Sequence, residues 1–373
     1  MLKAILKTAL ADVRRRVAGK ADEQRSVLEE MVRHVGTQSE IFRPSRGWQY
    51  FEQRHGGQLA ASGLANFKRT INQNYFNWIL SGADDNQFKA VARLWAEAPS
   101  LDAFRVELFD YHDLEGFFDT NPLLDPNARE LYRIFLGMLW QHTRTCDPKG
   151  LTEVLEEPPL GRPLGSRLNG RLISQDLANS IRERYAILAP VESALAAGRR
   201  VSIVELGAGY GRLGHVLLSS APCRYTIVDI PMALHVSQWY LTSLFPERKA
   251  FRFEPWQRFD DVADELRGAE ICFLTPDQYA RVPDRFFDIG VAISNLGEMN
   301  RQQCAMYIGL FDRKVSEFVY IKQWRRNHNP LDDVEFQKSD YDLPAPWTPA
   351  MDRADAVQDL FFETLWQRAS PRK

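Results

Sequence analysis

The stretch VSIVELGAGYGRLGHVLL, residues 201–218, constrains this chain more than any other. A short run rich in β-branched residues, Val201 to Leu206, reads as a strand. The glycines Gly207, Gly209 and Gly211 follow, and an apolar-periodic run from Arg212 reads as a helix. Glycines permit a sharp turn and let backbone approach a ligand closely. A strand that passes through such a loop into a helix belongs to a parallel β-α-β unit, so an α/β fold is expected. Two spacings overlap here. Glu205, Gly207, Gly209 and Gly211 read as E-x-G-x-G-x-G, and Gly209, Gly211 and Gly214 read as G-x-G-x-x-G. The second pattern alone is weak evidence for a ligand, and its place between strand and helix strengthens it.

The alternation continues downstream. RYTIVDI, AEICFLTP, FFDIGVAISN and EFVYIK read as strands, and MALHVSQWYLTSLF and RQQCAMYIGLFDRK as helices. The expectation is a Rossmann-like, mostly parallel sheet of about seven strands with helices on both faces. DLFFETLWQR reads as a last edge strand, and the polar, proline-bearing stretch 330–350 as a loop. Upstream, NFKRTINQNYFNWIL (66–80), NQFKAVARLWAEA (86–98) and NARELYRIFLGMLWQHT (127–143) carry helical spacing, with Asn86 and Asn127 at N-cap positions. The Pro/Gly-rich passage 147–171 reads as a loop or linker, and 172–195 as a long helix capped by Ser174. Two domains are expected: a mainly helical one over 1–170 and an α/β one over 171–373.

Composition narrows the partners. The formal net charge is -2, which gives no electrostatic case for nucleic acid. The clusters RRR (14–16) and KQWRRNH (322–328) read as solvated faces. Cys146, Cys223, Cys272 and Cys304 lie far apart, so neither a zinc knuckle nor a disulfide framework is expected, and a reducing cytoplasm fits. No apolar run is long enough to span a bilayer. Residues 1–20 read as an amphipathic helix packed on the protein (Leu2, Ile5, Leu6, Leu10, Val13 and Val17), with a membrane-surface role as the alternative.

Three acids stand at the ends of three successive strands: Glu205, Asp229 and Asp277. Open α/β sheets bind ligands at such ends. A carboxylate at Glu205 repels a pyrophosphate and suits a ligand with an ammonium and a sulfonium. Asp229 suits two ribose hydroxyls, and Asp277 an adenine amino group. The set favours S-adenosylmethionine over a dinucleotide. Its expected contacts are Glu205, Gly207, Ala208, Gly209 and Gly211, then Asp229 with Ile230, Asp277 with Gln278, and Ser294. VELGAGYGRLG, IVDIPMAL and FDIGVAISNLGEM resemble the motifs of class I S-adenosylmethionine-dependent methyltransferases. More narrowly, with NFKRTINQNYFNW and LISQDLANSIRERY, the chain from about residue 60 to about residue 325 resembles the bacterial sugar O-methyltransferase family. That resemblance implies methyl transfer to a hydroxyl of a nucleotide sugar, a surface polysaccharide or a glycosylated metabolite, with the helical region supplying much of the acceptor pocket. The chain departs from the family at the LG between Asn295 and Glu298, where a more aromatic or hydroxylated stretch is expected.

A sugar hydroxyl is a weak acid, so a positioned base helps its methylation. Glu298, Asn295 and His328 are the catalytic candidates. Glu298 also suits the first turn of a helix, and His328 a solvated loop. Gln175, Asn179 and Arg182, on the helix before the glycine loop, are further candidates, while His215 and His235 read as structural. No tight metal cluster is evident beyond the weak pair Asp332 and Asp333, so metal-independent chemistry is expected. The alternatives are O-methylation of a non-sugar hydroxyl, an NAD-dependent oxidoreductase, which Glu205 opposes, and an inactive scaffold, which Glu205 and Asp229 oppose because the fold needs neither.

Overall fold

A computed structural model describes residues 25–70, 82–109 and 122–369. The amphipathic run 1–20 and most of the 66–80 run lie outside them. At the centre is an eight-stranded sheet. Its strands in chain order are β1 (Val201–Leu206), β2 (Cys223–Val228), β3 (Ala250–Phe251), β4 (Ile271–Leu274), β5 (Phe287–Ile293), β6 (Val315–Trp324), β7 (Trp347–Ala354) and β8 (Phe361–Arg368). The spatial order is β7-β8-β6-β5-β1-β2-β4-β3. All neighbouring pairs from β3 to β6 are parallel, and only β8 runs against the rest. Every residue of β1 is buried, as a strand covered on both faces requires.

The C-terminal stretch corrects two expectations. Phe361–Arg368 is not the edge but lies second from it, and the edge strand β7 begins inside the stretch expected to be a loop. That same stretch contains Val334–Gln337, which pairs with Arg326–Asn329 just before it in a hairpin. β7 was hard to read because it is mostly exposed and carries Pro349 at a register shift. Proline removes a ladder donor and is confined to edges and bulges.

Helices cover both faces. They are α1 (Arg46–Ser62), α2 (Asn86–Glu97), α3 (Pro126–Thr145), α4 (Gln175–Leu188), α5 (Arg212–Ser220), α6 (Pro231–Leu244), α7 (Pro276–Arg281) and α8 (Arg301–Lys314). One hydrophobic cluster joins Val201 and Ile203 of β1 to α3, α4 and α5, and a second joins Val204 and Leu206 to α8. This split is the strand's two-residue period. Ser174 caps α4 as expected, its Oγ accepting from Leu177 N. The caps of α2 and α3 are Asp85 and Asp125 rather than Asn86 and Asn127, since Pro126 takes the first helical position of α3 and moves the cap upstream. The passage 147–171 is not a free linker. Leu151, Glu157 and Leu164 are buried there, and Gly165–Leu168 pairs with Glu107–Phe109 and Arg171–Leu172.

Candidate functional site

β1 pairs with β2 on one side and β5 on the other, so the chain leaves β1 at the point where strand order reverses. A cleft opens there, beside the glycine loop. With the open solvent at its mouth it encloses about 1360 Å³.

The loop is shaped by close contacts. Gly207 has φ +64°, and a Cβ on it would lie 2.5 Å from Asn295 Nδ2. Asn295 Nδ2 donates to the Leu206 carbonyl, and its Oδ1 accepts from Gln323 Nε2 at 2.9 Å. Asn295 therefore lines the cleft, but both ends of its amide fasten the glycine loop to β6 instead of facing a substrate. Gly214 packs against β2, where a Cβ would meet the Tyr225 ring at 2.6 Å. The third glycine of G-x-G-x-x-G is thus demanded by helix–strand packing and carries no information about the ligand.

Carboxylates dominate the chemistry. Glu205 lines the cleft at the end of β1, 4% exposed, and accepts the Tyr225 hydroxyl proton. Burial raises its carboxyl to about 8, against the pull of Arg212. Asp229 ends the β2 turn and accepts from Gly209 N at 3.0 Å and Ile230 N at 2.8 Å. Burial raises it to about 7 in spite of those amides. Glu298 sits on the Leu296–Glu298 turn after β5. It is reached by solvent through the cleft yet walled by protein, which raises it to about 8 while a Trp48 hydrogen bond lowers it. Its full rise belongs to the cleft when filled and dry. Just outside the wall, Glu52 of α1 is raised by burial to about 7 and adds to the field on Asp229. Ser294, at φ +52°, holds its bend through an N–H donated to the Lys322 carbonyl at 2.8 Å.

One helix end brings a different set. Asp176 of α4 lines the cleft and accepts from Tyr210 Oη at 3.1 Å, and burial raises it to about 6. Asn179, one turn on, also lines it. Arg212 enters from the first turn of α5, donating to Glu183 at 2.6 Å and Ser180 at 2.7 Å. Burial opposes its charge, and Glu183 and Asp176 more than offset that. Gln175 and Arg182 do not reach the cleft. Gln175 donates to Gln87 at 3.1 Å, and Arg182 to Asp355 at 3.2 Å.

The N-terminal segment supplies one wall of the cleft. Arg43, Pro44, Ser45 and Trp48 line the cleft together with Gln303 and Tyr307 of α8. Gln303 Nε2 donates to the Arg43 carbonyl at 2.7 Å and the Ile41 carbonyl at 3.3 Å, and Ser45 Oγ to the Glu298 carbonyl at 2.9 Å. The helical stretch 25–36 precedes this strap, and His34 Nε2 meets Asp277 Oδ2 at 3.0 Å.

That contact corrects the reading of Asp277. Its carboxylate is 1% exposed and already binds His34, Thr275 Oγ1 at 2.8 Å and Arg281 at 2.8 Å, so it does not face the cleft. Pro276 lines the cleft in its place. Gln278 closes the capping box of α7 and donates to the Glu254 carbonyl at 2.7 Å. Gly211 lies behind the loop against Leu241. His328 is exposed on the Arg326–Asn329 hairpin, 3.8 Å from Asp333 and away from the cleft. His215 and His235 are buried on α5 and α6, where burial lowers each to about 4. The structure therefore gathers Glu205, Gly207, Ala208, Gly209, Asp229, Ile230, Ser294, Asn295 and Glu298 around one cleft, and leaves out Gly211, Asp277, Gln278 and His328.

No family model matches the chain, and no curated protein does. Among solved structures, the chain is similar to the PH0226 protein from Pyrococcus horikoshii OT3, at 13% identity over 50% of this chain and 91% of that one, TM-score 0.34. It is also similar to magnesium protoporphyrin IX methyltransferase from Synechocystis PCC 6803 with bound SAH, at 11% identity over 52% and 86%, TM-score 0.34. A third is 1,6-didemethyltoxoflavin-N1-methyltransferase from Burkholderia thailandensis, at 14% identity over 52% and 82%, TM-score 0.30. Likeness at this level carries no weight about activity. Among the described residues no helix is long and apolar enough to cross a membrane.

Proposed function

We propose that this chain is an S-adenosylmethionine-dependent O-methyltransferase acting on a sugar hydroxyl, with Glu298 as general base. The observation that carries the reading is the placing of Glu205, Asp229 and Glu298 around one glycine loop at the reversal of strand order. A pyrophosphate beside Glu205 would push that acid's titration still higher and keep it neutral, so a dinucleotide gains no partner there. A sulfonium and an ammonium would be attracted by the same group.

The residues fit that donor. Asp229 accepts from the amides of Gly209, Ile230 and Ala208, and a carboxylate's four lone-pair sites leave room for a ribose hydroxyl beside them. Ile230, Ala233 and Pro276 offer an apolar slot for a purine. Arg212 and Asn179 suit a carboxylate, and Asp176 and Glu205 an ammonium. When bound, the donor supplies an electrophilic methyl group. Glu298, raised to about 8, is matched to receiving a hydroxyl proton near neutral pH. Trp48 and Tyr307 line the cleft together with Gln303, Gln358 and Arg43. A lining that mixes rings with polar groups suits a hydroxyl-rich sugar better than a flat phenol, which calls for a dry slot.

The test is calorimetric titration with S-adenosylhomocysteine and, separately, NAD⁺. Saturable binding of the first alone is expected, and binding of NAD⁺ alone would overturn the reading of Glu205. A screen of nucleotide sugars and glycans against phenols, with labelled S-adenosylmethionine, then decides the acceptor. With the acceptor in hand, Glu298→Gln is expected to lower kcat by roughly 10²–10⁴-fold and leave S-adenosylhomocysteine affinity unchanged.

A further inference from the structure

Asp332 was singled out in the sequence as half of a weak metal pair. It does not line the cleft. It lies in the turn of the Arg326–Asn329/Val334–Gln337 hairpin, half-buried against the start of α1. Its Oδ1 accepts from Arg46 N at 3.3 Å, and its Oδ2 from Gly47 N at 3.3 Å. Ser45 Oγ takes the next amide, Trp48 N, at 3.3 Å. The first intrahelical bond follows at Gln49. So the unpaired amides of the first turn are satisfied, two of them from a segment nearly three hundred residues away in the chain. A carboxylate also suits the positive end of the helix.

Asp332 Oδ2 also accepts from Asn329 Nδ2 at 3.0 Å, and the same Nδ2 donates to the Glu298 carbonyl at 3.2 Å. Asn329 Oδ1 in turn accepts from Leu331 N and Asp332 N, fixing the turn. Ser45 Oγ reaches the same Glu298 carbonyl, and Asn327 Nδ2 donates to the Gly297 carbonyl at 2.7 Å. Trp48, two residues into the capped helix, hydrogen-bonds the Glu298 side chain. The start of α1 and the Glu298 turn therefore share one small polar node.

We propose that Asp332 is a positioning residue: through the first turn of α1 and through Asn329, it couples the seating of Trp48 to the placing of Glu298. This rests on the reading of the cleft as a donor site and of Glu298 as the base. Neither segment is held rigidly by its own sequence. The Glu298 turn is three residues of 3-10 helix, and α1 contains Gly47, Gly56 and Gly57. A node between them makes their order cooperative.

Hydrogen exchange of the full chain tests this, with S-adenosylhomocysteine as probe and Asp332→Ala, Asn329→Ala and Asp333→Ala as variants. Each of the first two is expected to raise exchange about tenfold in both segments, 46–52 and 296–300, because coupling is reciprocal. Asp333→Ala, which removes an exposed neighbouring charge, should match the wild type. In the wild type the probe should protect 207–211, 46–52 and 296–300 together. In Asp332→Ala it should protect 207–211 and no longer 296–300. Asp332→Ala loosening only 46–52, with Asn329→Ala loosening only 296–300, would reduce Asp332 to a helix cap and overturn the proposal. Should Asp332→Ala not fold, Asn329→Ala alone still decides, by whether its effect reaches 46–52. Failure of the probe to protect 207–211 in the wild type would instead sink the donor-site reading, while the ligand-free exchange still judges the coupling.

Discussion

Two sets of buried charge lie a few residues apart in this molecule, and they are built differently. Behind the sheet end, Glu183 binds Arg212 and Lys322, and Lys322 also binds Asp355, which binds Arg182. Burial alone would raise Glu183 and Asp355, but these cations hold both below the ordinary carboxylate range. In the cleft, Glu205, Asp229 and Glu298 are each raised to about 7 or 8, and none makes a salt bridge among the described residues. The first set is complete as it stands. In the second, Glu205 feels Arg212 only at a distance, Asp229 has no ion-pair partner among the described residues, and solvent reaches Glu298; the two buried acids are stable as neutral groups or beside a ligand. Pairing thus separates architecture from site better than burial does.

The contrast is broken most severely from the paired side. Asp355→Ala leaves the buried Arg182 without its ion-pair partner and Lys322 with Glu183 alone, and a loss of about 3–5 kcal/mol is expected in urea unfolding. Since the folded Asp355 titrates below its unfolded value, its contribution is present at neutral pH and is lost as acid is added. An acid limb to the stability of wild type that Asp355→Ala lacks would show it. On the cleft side, Asp229→Ala should weaken S-adenosylhomocysteine by about 1.5–3 kcal/mol in calorimetry, the range for hydrogen bonds to a charged group. A smaller change would mean that ribose hydroxyls do not sit there.

Glu205→Gln sharpens the comparison through sign. Glu205 titrates higher folded than unfolded, so the folded state binds more protons between the two values. Apo stability should therefore fall as pH rises from about 5 towards 8, by at most about 1.4 kcal/mol per pH unit from this group. Glu205→Gln should flatten that slope, whereas an Asp355 variant should steepen nothing in this window. In the same pH range the wild type should bind S-adenosylmethionine more tightly as Glu205 ionises, with proton release measurable from titrations in two buffers. The smallest effect belongs to His328→Ala, expected to leave donor affinity and stability within about 0.5 kcal/mol. A larger drop in activity would return the hairpin histidine to the site.

What the sequence made legible follows the range of each interaction. The strand, glycine loop and helix at 201–218 are a local signal, and so are the cap at Ser174 and the acids Glu205, Asp229 and Glu298, each placed within a few residues of a strand end. Asp277 was as local in sequence, yet its partner His34 comes from more than two hundred residues upstream, and nothing near it announces that. Trp48 and Ser45 join the cleft through contacts of the same span. Arg212 was within reach of reading, since a cation directly after Gly211 starts a helix that faces the loop. β7 was hidden by being an edge, where exposure and proline erase the apolar pattern.

The strap at 40–48 has a kinetic side. It crosses from the His34 anchor to α1, held by Gln303 and Ser45 and followed by amides bound to Asp332. If the cleft holds a nucleoside as proposed, these bonds would have to open for it to leave on the side that Arg43, Pro44 and Ser45 line. Residence time would then be set by a local opening of the N-terminal segment rather than by the contacts the nucleoside itself makes. Low denaturant, which barely alters the sheet, would shorten that residence time first.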